Sequence, residues 1–292
     1  LPLAGLFLVW LYRACDMARD GGTNLVLISV RDNAPIRLRT APLIITATIL
    51  THLCGGSSGR EGAALQMGSA ISAWIGRLMR LDDKDERVIK MCGMAAGFSA
   101  LFGTPLAAAV IAMEVVSVGV MYYAAMFPCL LASLVALMTA RMLGGRAEAF
   151  LVFGIPKLTP LALAQVIALG LLCALVAILF CKVFGVIQRG YARYLPNPYA
   201  RVVVGACVVI GATLALGSRD YNGAGMDIIW EAFTGHAHPA AFLIKMVLTA
   251  ITLGAGFKGG EIVPAFFVGA TFGCYYGGLL GLSGSFAAGV GM

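Results

Sequence analysis

The stretch Gly55-Gly56-Ser57-Ser58-Gly59-Arg60-Glu61-Gly62 contains four glycines and leads directly into the apolar run Ala63–Met79. The glycines leave backbone N–H groups unshielded, and the start of a helix carries partial positive charge. Together these features predict an anion-binding helix N-terminus. A carboxylate at Glu61 could occupy that site when ionised and leave it when protonated, so it would act as both gate and proton carrier. In the alternative interpretation, Glu61 only caps its own helix and pairs with Arg60.

The composition around this stretch predicts a membrane protein. Of the 292 residues, 60% are hydrophobic and 12% are charged, and the mean hydropathy is +0.90. Soluble domains are about 45–50% apolar and about 25% charged, so this chain has too little charge to coat a soluble surface. The 21 lysines and arginines outnumber the 14 acids, which indicates cytoplasmic loops and lipid headgroups rather than nucleic acid. We expect an all-α integral protein with several spans in a cell membrane, of the bacterial inner-membrane type.

Several apolar segments are short or broken. Leu43–Cys54 is too short to cross the roughly 30 Å of hydrocarbon in a bilayer, which favours tilted and broken helices that meet inside the membrane. The polar stretches Arg80–Lys90 and Gln188–Arg201 predict loops. Apolar runs begin at Leu1 and stop at Met292, and we therefore expect a fragment that is truncated at both ends inside spanning helices.

A second glycine-rich stretch has the same features as the first, because glycines and a glutamate precede the start of an apolar helix. It reads Phe257-Lys258-Gly259-Gly260-Glu261-Ile262-Val263-Pro264. Its proline suits the first turn of a helix, where a missing N–H is tolerated. Placing Gly68 on Gly269 aligns Trp74-Ile75-Gly76 with Tyr275-Tyr276-Gly277. This alignment indicates an approximate internal repeat within one transmembrane domain over 1–292, with halves of about 1–145 and 155–292. Such repeats point to a transporter with a binding site at the bilayer midplane, although two small-residue helices can also resemble each other by chance.

Three acids lie in or beside apolar segments, and each is a functional hypothesis because charge inside a membrane is costly. They are Glu61, Glu114 and Glu261. Glu114 is predicted as a cytoplasmic-side acid at a helix end. The pair His236 and His238 has no third ligand nearby, so we expect no metal and no cofactor. No HExxH motif is present, and we expect no enzyme; a non-transporting membrane subunit is the alternative outside transport.

Three runs carry a resemblance to a known family. GSSGREGAALQMGSAISAWIGRL, which contains Glu61, resembles the second signature of the CLC family of chloride channels and transporters. The following AAGFSALFGTPLAAAVIAMEVV resembles that family's next helix pair, and GFKGGEIVPAFFVGATFG resembles its third signature. The resemblance implies the CLC fold, an inverted repeat of tilted and broken helices in a lipid bilayer. It also implies a homodimer with one pore per subunit that transports a halide anion.

The resemblance assigns roles to particular residues. The family's gating glutamate corresponds to Glu61, and the first signature, which places a serine against the anion, is absent. Its loose substitute is Gly21-Gly22-Thr23-Asn24, with Thr23 or Asn24 in place of the serine. The residues that the resemblance assigns to anion binding are Thr23, Asn24, Gly59, Arg60, Gly62, Gly260, Ile262 and Val263.

Departures from the family pattern favour its fluoride/proton antiporter branch. The internal proton-transfer glutamate of chloride/proton exchangers corresponds to Val115, and the third motif carries an acid, Glu261, where an apolar residue is usual. Against this branch, its usual threonines are replaced by Ala63 and Val263. Glu261 is thus predicted to handle the proton with Glu61, while a structural partnership with Lys258 is the alternative. We expect proton-coupled halide antiport of chloride or fluoride, and a passive chloride channel is the alternative.

Overall fold

The computed structural model describes residues 1–17, 21–116, 121–145 and 149–292. The secondary structure named in these residues is helical. The helices, in chain order, are α1 Pro2–Ala14, α2 Thr23–Arg31, α3 Thr40–Leu53, α4 Glu61–Leu78, α5 Asp83–Phe102, α6 Pro105–Glu114, α7 Met126–Met142, α8 Pro160–Tyr194, α9 Pro198–Leu216, α10 Met226–Phe233, α11 Ala241–Ala255, α12 Ile262–Leu279 and α13 Gly284–Gly291, with a short 3₁₀ turn at Tyr123–Ala125 before α7. The all-helical fold class predicted from composition is confirmed for the described residues.

Two polar stretches that were predicted as loops are largely helical, so that prediction was wrong. The Asp82 side chain accepts hydrogen bonds from the N–H groups of Lys84 and Asp85, and this cap starts α5 inside the stretch Arg80–Lys90. The second stretch, Gln188–Arg201, is interrupted only at 195–197, because α8 continues to Tyr194 and Asn197 caps α9. The charged and polar residues of these two stretches therefore lie on helix surfaces and at helix caps rather than in loops.

Helix length and composition agree with a membrane protein. In the described chain, four segments are long and apolar enough to cross a bilayer: Tyr123–Met142, Pro160–Tyr194, Pro198–Leu216 and Ile262–Leu279. The apolar helices α1, α3, α6 and α11 are shorter than these. This mixture of long and short apolar helices is what the interrupted hydrophobic pattern predicted.

The chain divides into two compact units. The first unit contains Leu1–Trp10, Ile49–Gly59 and Phe150–Met292, and the second contains Leu11–Thr48 and Arg60–Ala149. In the first unit a buried apolar cluster joins α8, α11, α12 and α13. Its buried members are Leu169, Phe242, Met246, Val268, Phe272, Leu282 and Ala287.

Each unit contains a helix pair that packs through glycine against a backbone carbonyl. In the second unit, a Cβ on Gly68 of α4 would collide with the carbonyl oxygen of Gly93 in α5. In the first unit, a Cβ on Gly269 of α12 would collide with the carbonyl oxygen of Gly291 in α13. Gly68 and Gly269 are the two positions that the sequence alignment placed on each other. Both aligned helices therefore make a close glycine contact with the backbone of a neighbouring helix. The inverted relation of the two halves stays a prediction.

Candidate functional site

Glu61 is the first residue of α4. Its side chain is fully buried, and Gly62 and Ala63, which follow it, are also buried. The backbone ladder of α4 begins with the N–H of Ala64, which donates to the carbonyl of Arg60 (3.3 Å). The N–H groups before that point belong to the first turn, where the helix dipole favours negative charge. The sequence therefore placed Glu61 correctly at a helix N-terminus, whereas Arg60 has an exposed side chain.

Glu261 is the residue that precedes α12. The ladder of this helix begins with the N–H of Ala265, which donates to the Glu261 carbonyl (3.0 Å). Val263 and Pro264 are buried in the first turn, and Ile262 is half-buried. The Glu261 side chain is exposed. Its environment thus differs from that of the fully buried Glu61.

The two glycine-rich motifs meet at Gly59 and Gly260, both in the first unit. The Gly59 N–H donates to the Gly260 carbonyl (2.8 Å), and the Gly260 N–H donates to the Gly59 carbonyl (2.7 Å), which makes an isolated antiparallel bridge. Glycine is needed beside this bridge, because a Cβ on Gly259 would collide with the Ser58 side chain. The sequence analysis assigned these two residues to anion binding; both of their N–H groups donate within the bridge, and the assignment stays a prediction.

The segment before the bridge is held by hydrogen bonds from its backbone and side chains. The Gly223 N–H donates to the Gly56 carbonyl (2.8 Å), and the Ser58 N–H donates to the Gly223 carbonyl (3.1 Å). The Ser57 N–H donates to Thr252 Oγ1 (3.1 Å), and Ser57 Oγ donates to the Tyr221 carbonyl (2.8 Å). The path of residues 56–59 is therefore set by contacts with chain segments more than 160 residues away.

A polar stripe on α11 provides much of this support. Lys245, Thr249 and Thr252 lie at positions i, i+4 and i+7, so they share one helix face, and all three are fully buried. Lys245 Nζ donates to the carbonyls of Gly223 (2.7 Å) and Tyr221 (3.1 Å) and lies 5.3 Å from the centroid of the Phe267 ring. We refer to these three residues as the α11 stripe.

The remaining predicted residues lie in the second unit. Thr23 is the half-buried first residue of α2, and Asn24 is exposed. Helix α2 packs against α4, the helix that Glu61 begins. Glu114 is the exposed last residue of α6, and Val115 is also exposed. Of the two replacements considered for the family serine, the partly buried Thr23 is better shielded from solvent than Asn24.

The buried polar residues that surround the glycine motifs were not predicted from the sequence. The sequence does carry a signal for one of them, because Lys245 stands within the apolar run Ala240–Gly256 and a buried cation in a membrane is as costly as a buried acid. Two further buried side chains, Ser58 and Gln66, have polar atoms with no hydrogen-bond partner among the described residues. Within those same residues, no cluster of three or more His, Cys, Asp or Glu side chains could hold a metal ion.

Comparison with known proteins identifies the family. A family model described as "Voltage gated chloride channel" matches residues 4–292. A protein of Pseudomonas syringae pv. tomato named "Chloride/fluoride channel protein" is 35% identical over 298 aligned positions, which cover 100% of this chain and 66% of that protein. The "Voltage-gated ClC-type chloride channel ClcB" of Citrobacter koseri is 25% identical and is matched over 96% of this chain and 67% of its own length. The chain thus spans about two thirds of these relatives.

Solved structures agree with these sequence matches. The structure described as "Crystal structure of a CLC-type fluoride/proton antiporter" superposes with a TM-score of 0.95 and 34% identity, over 100% of this chain and 74% of that one. A slow cyanobacterial Cl⁻/H⁺ antiporter superposes with a TM-score of 0.79 and 22% identity, over 96% of this chain and 68% of its own, which supports the fold alone. The glycine-rich helix starts at Glu61 and Glu261 agree with these matches. The family model over residues 4–292 and the structural match at 34% identity support one conclusion: the chain belongs to the CLC family of voltage gated chloride channels.

Proposed function

We propose that the protein is a proton-coupled halide transporter of a cell membrane, gated by Glu61. The observation that carries the proposal is the position of Glu61, fully buried at the start of α4 and inside the glycine-rich motif. An ionised carboxylate there competes with a halide for the same positive helix end. A protonated carboxylate loses its charge and yields the site, which links halide movement to proton movement.

The proposal assigns further roles to the remaining motif residues. In the second unit, the first-turn backbone amide of Gly62 in α4 is a halide donor, and Thr23 assists it. In the first unit, the first-turn amides of Ile262 and Val263 in α12 are halide donors. Glu261 is the second proton-handling acid. The full-length protein works as a homodimer in a lipid bilayer, in the inner membrane of a bacterium.

Fluoride/proton exchange is favoured within this proposal. The match with the fluoride/proton antiporter covers the whole chain at 34% identity, and the Pseudomonas relative carries fluoride in its name. Glu261 supports the same choice, because its place in the third motif supplies a second acid. The rival candidate is a passive chloride channel, which the name of the Citrobacter relative favours.

Parallel fluoride and chloride efflux from proteoliposomes tests the proposal. Vesicles that contain the purified full-length protein should release fluoride faster than chloride, and a halide gradient should drive protons in the opposite direction. Glu61→Ala should abolish the proton flux and leave passive halide flux, because the gate and its titratable group are removed together. Empty vesicles and the exposed-site variant Lys182→Met are the controls.

The outcomes separate the candidates. Halide efflux without proton movement in the wild-type protein would favour the passive channel. No halide efflux at all would overturn transport as the function. Retention of uphill proton pumping by Glu61→Ala would remove Glu61 from the gate.

A further inference from the structure

Lys245 is a buried cation whose contacts converge on the backbone that leads into the gate motif. Its relative exposure is 0%, and its ammonium group donates to the carbonyls of Gly223 (2.7 Å) and Tyr221 (3.1 Å). Nζ also lies 5.3 Å from the centroid of the Phe267 ring of α12. Taking an ammonium out of water costs several kcal/mol, so contacts of this kind are needed to keep it charged.

Each of the two carbonyls also accepts a bond from the segment that precedes the gate motif. The Gly223 carbonyl accepts from the Ser58 N–H (3.1 Å), and the Tyr221 carbonyl accepts from Ser57 Oγ (2.8 Å). Lys245 and residues 57–58 therefore share the same acceptors. The next residue along the chain is Gly59, which forms the bridge with Gly260.

The rest of the α11 stripe holds the same segment directly. Thr252 Oγ1 accepts from the Ser57 N–H (3.1 Å) and donates to the Leu248 carbonyl (2.8 Å). Thr249 Oγ1 lies 3.0 Å from Ser57 Oγ. A Cβ on Gly56 would come within 3.2 Å of Thr252 Cγ2 and closer still to Thr51, so the segment fits tightly against α11.

We propose that Lys245 is a positioning residue for halide binding, which acts through the Gly223 carbonyl on residues 56–59 and so on the Gly59–Gly260 bridge. The inference rests on the proposed function. The bridge fixes Gly260, the residue before Glu261, and with it the entry to α12 in the same unit. A loosened bridge leaves the proposed halide donors that follow it in α12, the amides of Ile262 and Val263, less ordered, which weakens binding.

The geometry argues against Lys245 as a proton carrier. Its ammonium faces two carbonyl acceptors and the face of an aromatic ring, and all three stabilise a positive charge. Lys245→Arg keeps a positive charge beside these groups, and the proton-to-halide ratio of a folded Lys245→Arg variant should match that of the wild type.

Halide titration calorimetry on the purified full-length protein tests the inference, with Lys245→Met, Lys245→Arg and Lys182→Met compared in fluoride and in chloride. In Lys245→Met both carbonyls keep their bonds from Ser57 and Ser58, so the variant should fold. Its halide dissociation constant should rise about tenfold or more, which corresponds to about 1.4 kcal/mol of binding free energy, because the segment that leads to the bridge is held less firmly. Lys245→Arg should restore most of the affinity. Lys182→Met removes the same charge from an exposed site on α8 and should bind as the wild type does.

Hydrogen–deuterium exchange over residues 54–60 provides a second, independent readout. Lys245→Met should exchange faster in this peptide, while peptides from α8 stay unchanged. If Lys245→Met does not fold, Thr252→Val takes its place. This substitution removes the acceptor of the Ser57 N–H at nearly constant volume. It should likewise weaken halide binding and speed exchange over residues 54–60.

The results that would overturn this inference differ from the results that would overturn the proposed function. Wild-type halide affinity and wild-type exchange over 54–60 in a folded Lys245→Met or Thr252→Val protein would overturn the inference. A wild-type protein that neither binds nor moves halide would overturn the proposed function instead. The exchange experiment would still report whether Lys245 positions the segment.

Discussion

The two motif glutamates occupy different environments although both stand at the start of a helix. Glu61 is fully buried as the first residue of α4, whereas Glu261 precedes α12 and has an exposed side chain. Burial disfavours the charged form of a carboxylate, and a helix N-terminus favours it. Glu61 experiences both influences, which suits a group that alternates between its charged and neutral forms.

Glu261→Gln tests whether the second acid handles protons. The amide keeps the size and hydrogen-bonding capacity of the side chain but cannot exchange a proton. We expect proteoliposomes with this variant to lose proton-coupled exchange, while the purified variant elutes as the wild type does in size-exclusion chromatography. Unchanged coupling in a well-folded variant would contradict the assignment and remove most of the support for the fluoride branch. Loss of folding, or of the proposed homodimer, would favour the structural partnership with Lys258.

At the scale of helices, glycine sets the distance between neighbours. A Cβ on Gly68 would collide with the backbone of Gly93, and a Cβ on Gly97 would lie 2.5 Å from the carbonyl oxygen of Ala64. Both contacts lie between α4 and α5. In the first unit, a Cβ on Gly273 of α12 would collide with the carbonyl oxygen of Ala287 in α13. Because backbone atoms cannot move aside as a flexible side chain can, these helix pairs tolerate no larger residue at the contact.

Gly68→Ala should destabilise the protein. The added methyl group meets a backbone carbonyl, and overpacking of this kind costs about 1–3 kcal/mol. Gly170→Ala in α8 is the matched control, because nothing lies within 4 Å of its Cβ. Alanine in a helix is more favourable than glycine by roughly 0.5–1 kcal/mol, so the control should be neutral or slightly stabilising. Thermal unfolding in detergent measures both, and equal midpoints for the two variants would contradict the close approach.

At the scale of the whole molecule, the chain exposes much apolar surface. Helix α8 has 35 residues, which corresponds to a length of about 52 Å. Its exposed side chains include Leu163, Leu171 and Leu175. A hydrocarbon core about 30 Å thick would cover a large part of such a helix. The same property that is unfavourable in water is therefore favourable in the lipid bilayer expected for this family.

Halide binding should raise the thermal stability of the whole protein. A ligand that binds only the folded state stabilises it by about 2.7 kcal/mol at a concentration one hundred times its dissociation constant. For a domain of 150–250 residues this corresponds to about 5–10 °C in Tm. We expect sodium fluoride to raise Tm more than sodium chloride, with sodium gluconate at equal ionic strength as the reference. Equal midpoints in all three salts would contradict specific halide binding.

The sequence by itself determined the membrane class, the helix starts at Glu61 and Glu261, and the small residues at the close helix contacts. Each of these follows from local chemistry. Glycine and proline are favoured where helices begin or end, and an apolar run without charge needs lipid or protein around it. The alignment of Gly68 with Gly269 also required only the spacing of small residues. These features depend on neighbours within a few turns of the chain.

The bridge and its support were decided only by the tertiary structure. Gly59 and Gly260 exchange their amide hydrogen bonds across 201 positions, and Ser57 bonds Thr252 across 195. No periodicity in the chain encodes such a pairing, so the sequence could not predict that the two glycine amides bond to each other. The contacts of Lys245 could not be predicted for the same reason, although its place in an apolar run marks it as a costly cation. These contacts depend on which carbonyls lie opposite Lys245, and folding places them on a loop, 22 and 24 residues before it.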